Sequence, residues 1–159
     1  MINIKLISVG NCKERYFKEA CAEYQKRLNA FCKLEIIETA ESKRDGIRQG
    51  DINEILDFEG DKILSKISKS DYVIALCIEG KPLTSEELSS KIETTALSGN
   101  SKISFIIGGS LGLSEKVKTR ADLKLSLSKM TFPHQLARVA LLEQIYRSFT
   151  IIRGVRYHK

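Results

Sequence analysis

The sequence predicts an α/β domain: a mostly parallel β-sheet flanked by helices. Two observations lead there. Apolar runs of strand length alternate along the chain with longer segments of helical period, the order that parallel sheets require. The 159 residues, 42% of them hydrophobic, also suffice for one core, so residues 1–159 are expected to form a single domain.

The strands are expected at Ile2 to Val9, Lys33 to Glu38, Tyr72 to Ile78, Ile103 to Ile107 and Leu123 to Leu127. Between the first two, Tyr16, Phe17, Ala20, Cys21, Tyr24, Leu28 and Phe31 recur at three- and four-residue steps and define one buried helix face. Ile52, Ile55, Leu56, Ile63, Leu64 and Ile67 do the same before the third strand. The segment Glu41 to Asp51 is polar, carries Gly46 and Gly50 and has no periodicity, so it reads as the most mobile loop. Thr84 followed by Glu87 is a capping-box pattern, which starts a helix just after a turn at Glu79-Gly80-Lys81-Pro82 and carries it to Ser98-Gly99. The last helix, from about His134 to Phe149, contains Val139-Ala140-Leu141-Leu142. Four consecutive apolar residues wrap more than one turn and leave no wet face. One side fits the chain's own sheet, and a second copy of the chain is the economical cover for the other; a central helix sandwiched within one domain is the alternative.

The formal charge of +6 is uneven. Residues 125–159 hold six Lys/Arg against one Asp/Glu, whereas residues 1–124 nearly cancel at 20 against 19. Such a basic end is the footprint of an anionic partner, RNA or phosphate, with a merely solvated tail as the alternative. No stretch approaches the roughly 18 apolar residues of a membrane span, and the start MINIKLISVGN has no signal-peptide pattern, so a cytosolic protein without membrane partners is expected. Cys12, Cys21, Cys32 and Cys77 show no C-x-x-C spacing and read as reduced, structural residues. With only His134 and His158 to join them, no metal-ligand spacing exists, and no metal is expected.

Chemistry is expected at the carboxyl ends of strands, where open α/β sheets bind ligands. Phe105-Ile106-Ile107 runs into Gly108-Gly109-Ser110-Leu111-Gly112, and glycines there let backbone approach a ligand. The loop is neither G-x-G-x-x-G nor a P-loop, which argues against a dinucleotide or a nucleoside triphosphate; a plain tight turn is the other reading. Two further loops belong to the same edge: Ile78-Glu79-Gly80-Lys81, and Ser126 to Pro133 with Leu127, Ser128, Lys129, Met130, Thr131 and Phe132. Backbone polar groups beside Met130 and Phe132 suit an adenine ring and a thioether better than a polyphosphate. Arg138, one turn after His134, sits among apolar neighbours and needs a partner, either a substrate or a fixed carbonyl or carboxylate. Glu143 and Arg147 are spaced as a helix-surface ion pair. Tyr157, His158 and Lys159 either meet a base or phosphates, or fray.

Taken together, Ala75-Leu76 with GKPLTSEE, then FIIGGSLGL, then LSLSKMTFPHQLARVALLEQIYRSF and a final YHK resemble the bacterial ribosomal RNA large subunit methyltransferase H family over the whole chain. The resemblance implies a SPOUT-class α/β fold with a carboxyl-terminal trefoil knot and a homodimer that uses S-adenosylmethionine. It further implies methylation of N3 of a pseudouridine in helix 69 of 23S rRNA, on the assembled 70S ribosome. By the same resemblance the cofactor contacts fall on Leu76, Gly108 and Leu127 to Phe132, while the closing segment departs from the family at Val155-Arg156. N3 must lose a proton, so Arg138, Arg156 and Lys129 are candidates to stabilise the anion, and His134, His158 and Tyr157 to take the proton. The rival reading is a non-catalytic ribosome- or RNA-binding module. A nucleotide-dependent oxidoreductase is disfavoured by the missing dinucleotide fingerprint.

Overall fold

A computed structural model describes residues 1–44 and 48–159. Five strands, β1 (Asn3–Val9), β2 (Lys33–Thr39), β3 (Tyr72–Pro82), β4 (Lys102–Ile107) and β5 (Leu123–Ser126), pair in the order β2-β1-β4-β3-β5. Every pairing is parallel. Five helices connect and follow them: α1 (Arg15–Leu28), α2 (Gln49–Leu64), α3 (Ser85–Leu97), α4 (Glu115–Arg120) and α5 (His134–Ile152).

The period of two along the central strands explains why both faces of the sheet are dry. Ile4, Leu6, Ile74, Ile103, Phe105 and Ile107 point to one side, where Leu88 and Ile92 of α3 and Leu141, Leu142, Ile145 and Phe149 of α5 complete a core together with Cys21 and Leu28 of α1. Ile7, Val9, Val73, Ala75 and Ile106 point to the other, against Ile63 of α2 and Leu113 and Val117 around α4. The strand ends carry the polar exceptions. Asp71, just before β3, accepts from Ser104 Oγ at 2.9 Å, the Ser68 backbone N–H at 3.1 Å and Lys5 Nζ at 3.2 Å. Burial alone would raise its carboxyl, but these donors outweigh it and hold it below the ordinary carboxylate range.

Helix starts follow the sequence signals closely. Thr84 accepts from the Glu87 backbone N–H while the Glu87 side chain accepts from Thr84 N–H, the reciprocal capping box. At the other end of α3, Gly99 takes a positive φ of 97° just past the Ser98 cap. The four cysteines are free; Cys12, Cys21 and Cys32 are buried, and burial pushes the Cys21 and Cys32 thiols up to about 12.

Three expectations need correction. Tyr16 is not on the buried face of α1: it is 62% exposed, and its neighbour Phe17 is the first-turn residue that packs against the core. The segment expected as a loop from Glu41 to Asp51 ends earlier, because α2 already begins at Gln49; residues 45–47 lie outside the described residues. Glu79-Gly80-Lys81-Pro82 is not a turn. β3 continues to Pro82, and Leu76 and Lys81 both register with Leu125, so residues 77–80 bulge between two points of contact with one neighbour. A Cβ at Gly80 would stand 2.7 Å from the Leu125 carbonyl carbon, so glycine is what lets β5 lie against the bulge.

Candidate active site

The bulge of β3, the glycine loop after β4 and the loop after β5 converge at one edge of the sheet. Between them lies a cavity of about 850 Å³, within the roughly 300–1,000 Å³ usual for small-molecule sites. Leu76, Cys77, Ile78 and Glu79 form one wall, Ile107 to Leu113 a second, and Leu127, Ser128 and Met130 to His134 a third, with Ala137 and Lys118 closing the rim.

Each wall is shaped by a local constraint. The glycine loop doubles back so that Gly112 N–H donates to Gly109 C=O at 3.1 Å with Gly112 at φ +83°. It is therefore a tight turn and a cavity wall at once. A Cβ on Gly108 would stand 2.5 Å from Gly112 O and 3.0 Å from Leu113 Cδ2, so that position has room for hydrogen only. After β5, Ser126 Oγ donates to Ser128 C=O at 3.0 Å and Ser128 Oγ accepts from Met130 N–H at 3.0 Å, which curls the loop and turns Met130 and Phe132 outward. Both remain substantially exposed, at 76% and 40%, and give the mouth an apolar lip. Pro133 then precedes α5 as its N-cap, with φ already preset for the helix entry.

The wall is chemically mixed in a useful way. Leucine, isoleucine, methionine and phenylalanine side chains provide apolar surface, the glycine turn provides backbone, and the charged groups are few. Lys118 reaches Glu79 at 2.5 Å and Glu115 at 3.6 Å. The hydrogen bond to Glu79 raises the lysine and lowers the carboxylate, so both stay ionised at neutral pH. His134 stands at the start of α5, its Nε2 3.7 Å from where a Gly10 Cβ would be, with Glu41 Oε2 3.2 Å from the same point.

Of the residues expected to hold a cofactor, Leu76, Gly108, Leu127, Ser128, Met130, Thr131 and Phe132 line the cavity, whereas Lys129 does not. Of the six catalytic candidates, Lys129 among them, His134 alone is in the wall. Arg138 is turned under the sheet edge with 3% of its side chain exposed. Its Nη1 donates to Glu38 Oε1 at 2.6 Å, and its Nη2 to Ser8 Oγ at 2.6 Å and to Gly10 C=O at 3.2 Å. The fixed carboxylate and carbonyl are thus the partners found for it.

Arg156, Tyr157 and His158 belong to a tail that folds back along α5, away from this chain's own cavity wall. Tyr157 packs edge-on against Tyr146 at 4.9 Å, lies under the Arg147 guanidinium at 4.7 Å and donates to Glu143 Oε1 at 3.2 Å. His158 Nε2 meets Glu86 Oε1 at 2.7 Å and its Nδ1 meets Arg147 at 3.2 Å. The Glu143–Arg147 pair, at 2.6 Å, is therefore the hub of a tail anchor as well as a helix pair. Arg153, Arg156 and Lys159 stay exposed. α5 itself keeps one open side: Leu141 and Leu142 are fully buried, but Leu136 is 41% exposed and lines, with Val139, Ala140 and Phe132, a second groove of about 520 Å³.

Sequence reasoning missed the Glu79–Lys118 pair, Ala137, and a buried carboxylate behind the glycine loop, Glu59. Only the last left a signal: it falls midway between Ile55 and Ile63 on the apolar stripe of α2, where a charged residue is out of place.

Two solved structures resemble the chain in fold. A probable methylase family protein from Haemophilus influenzae superposes with a TM-score of 0.56 at 11% identity, covering 98% of this chain and 70% of its own. A ribosomal RNA small subunit methyltransferase E from Neisseria gonorrhoeae, solved bound to S-adenosyl methionine, gives 0.50 at 12% identity, over 91% and 65%. The family model described as a predicted SPOUT methyltransferase matches residues 2–158, and the chain belongs to that class. Proteins named ribosomal RNA large subunit methyltransferase H match it over 99% of its length and all of theirs, at 54% identity for Bacillus pumilus and 55% for Clostridium botulinum. Within the SPOUT methyltransferases, the chain is a member of that large subunit methyltransferase H family.

Proposed function

We propose that the cavity binds S-adenosylmethionine through Leu76, Gly108 and the segment Leu127 to Phe132, and that the protein, acting as a homodimer, methylates N3 of a pseudouridine in helix 69 of 23S rRNA on the assembled ribosome. The observation that carries this reading is the convergence of the β3 bulge and the loops after β4 and β5, far apart in sequence, on one cavity with apolar walls and bare backbone at Gly108. An adenine ring and a thioether-like chain fit such walls, and the absence of a lysine-bearing phosphate loop argues against a polyphosphate. The reading extends to one domain over residues 1–159 and to a carboxyl-terminal trefoil knot.

The chemistry required of the residues is limited. Bound S-adenosylmethionine supplies an electrophilic methyl group. The protein must then hold the base in line, accept the N3 proton and stabilise the imide anion left behind. In-line placement is worth up to roughly 7–11 kcal/mol. His134, in the wall, is placed to accept the proton as a neutral imidazole. Arg138 holds the ends of β1 and β2 in register with α5 and supports His134 one turn away. The exposed Arg153, Arg156 and Lys159 supply phosphate contacts. In a dimer that covers Leu136, Val139 and Ala140, the tail of one subunit completes the cavity of the other with Arg156, Tyr157 and His158. The groove along α5 supports that arrangement, and the tail's distance from its own cavity makes a shared site the simpler one.

Mass mapping of 23S rRNA tests the function. Ribosomes from a strain without this gene are expected to lack one methyl group, on a single pseudouridine of helix 69, and to regain it when the gene is restored. An rRNA methylation pattern that is the same with and without the gene would leave the RNA-binding module as the better reading.

A further inference from the structure

Glu59 occupies the buried stripe of α2, one turn from Ile55 and one turn from Ile63, and is 5% exposed. Gly60 beside it brings the helix close: a Cβ there would stand 2.5 Å from the Ser114 hydroxyl and 3.5 Å from Val117 Cγ2, so α2 lies flush on the start of α4. The Glu59 carboxyl group is thereby wedged between two loops. Its Oε1 accepts the Ser42 backbone N–H, from the segment after β2, at 3.2 Å. On its other side, a Cβ added to Gly109 would stand 3.2 Å from Oε2 and 3.5 Å from Oε1, so the carboxyl presses on the glycine loop where that loop has no side chain. Oε2 has no hydrogen-bond partner among the described residues. Nor do the backbone N–H groups of Ser110 and Leu111, which follow that glycine. A buried acceptor left unpaired against this loop is costly, whereas the Ser110 and Leu111 N–H groups lie in exposed residues and are free to turn.

We propose that Glu59 is a positioning residue for the glycine loop: its free Oε2 is the acceptor onto which the Gly109-Ser110 turn closes, tying the cavity wall to α2 and to the segment after β2. Gly108 and Gly109 face the cavity, so a turn fixed from behind presents a fixed surface to the ligand in front. The consequence for ligand affinity rests on the cofactor reading above; the latch itself does not.

The latch needs the carboxylate. Burial, the largest influence, raises this carboxyl above the ordinary glutamate range; the Ser42 N–H opposes the rise, and Glu41 adds to it. Glu41 is the ionisable neighbour from the segment after β2, and His134 lies beyond it across Gly10. Residues 108–113 and Val9-Gly10 carry no ionisable side chain, and Lys116 of α4 is held by Asp57 and Asp61. Because the folded protein favours the neutral form, the stability this group contributes is complete below the ordinary glutamate range and is lost as pH rises through the raised value. The latch strengthens over the same rise, so stability and loop order move in opposite directions.

Two measurements on the whole protein test this. In the unliganded chain, amide hydrogen exchange at Ser110, corrected for its intrinsic pH dependence, is expected to slow as pH rises through the Glu59 titration, and to show no such step in Glu59→Gln. In calorimetry, Glu59→Gln is expected to bind S-adenosylmethionine about tenfold more weakly than the wild type, while melting no lower at neutral pH and keeping kcat near its wild-type value at saturating cofactor. Identical exchange profiles overturn the latch, and so does unchanged affinity in a folded Glu59→Gln protein. If the wild type itself fails to bind S-adenosylmethionine, the cofactor reading falls, and the exchange profiles still decide the latch.

Discussion

Gly108→Ala is expected to leave a folded protein whose affinity for S-adenosylmethionine is reduced on the order of a hundredfold. The added methyl would lie 2.5 Å from Gly112 O, 2.7 Å from Gly112 C and 3.0 Å from Leu113 Cδ2. Two of these three are backbone atoms of a turn already closed by the Gly112 to Gly109 hydrogen bond, so no flexible side chain can yield. Overpacking of this kind costs about 1–3 kcal/mol, which a domain of this size survives. What it does not survive is the displacement: the turn must move by something like 1 Å, and the turn is the cavity wall. A thermal melt distinguishes the two effects, and calorimetry reads the second. Affinity within a few-fold of wild type would mean that the glycine loop is a turn without a role in binding.

Arg138→Ala is expected to lower stability by roughly 2–3 kcal/mol, less than a fully buried ion pair because Glu38 is 43% exposed. For a chain of this length the corresponding fall in Tm is roughly 5–10 °C. The loss comes from stranding Ser8 Oγ and Gly10 C=O beneath α5 and from leaving the volume of the guanidinium empty. Arg138→Lys is expected to recover little of this, since a single nitrogen cannot stand where Nη1 meets Glu38 and also where Nη2 meets Ser8 and Gly10. Activity in both variants should track the folded fraction. A melt at the wild-type temperature with kcat lost would instead place Arg138 in direct contact with the reacting base.

The strands were legible because a sheet covered on both faces is written as continuous apolar runs, and α3 was legible because a capping box is a local event between Thr84 and Glu87. The cavity loops were legible for a related reason: ligands collect at strand ends in open sheets, and a run such as IIGGSLG reads as an apolar strand ending in a glycine-rich loop, although a plain tight turn reads the same way. Failures occurred where a distant segment decides. Glu79-Gly80-Lys81-Pro82 has the composition of a turn, but β5 pairs with it on both sides of a bulge, and only the backbone at Leu125 makes Gly80 a strand residue. Tyr16 obeys the helical period of α1, yet in that first turn Phe17 takes the core side and Tyr16 stays exposed, and periodicity alone does not say where the edge of the buried face falls. Arg138 was equally compatible with a substrate or a fixed partner, because Glu38 is 100 residues away in sequence. Tyr157 and His158 return to Glu143, Arg147 and Glu86 through a turn at Gly154, φ +62°, that composition alone did not reveal.

The uneven charge gains a structural meaning from the same contacts. Of the six basic residues after position 124, Arg138 and Arg147 are committed to internal carboxylates, Glu38 and Glu143. The exposed remainder, Lys129, Arg153, Arg156 and Lys159, is the part available to an anionic partner.

The central claim is that the bulge of β3 and the loops after β4 and β5 make one S-adenosylmethionine site. Titration of the folded wild-type protein with S-adenosylmethionine in a calorimeter tests it most directly. The account predicts saturable binding that S-adenosylhomocysteine displaces and that Gly108→Ala weakens. A folded protein that releases no heat, at any cofactor concentration reached, would contradict it.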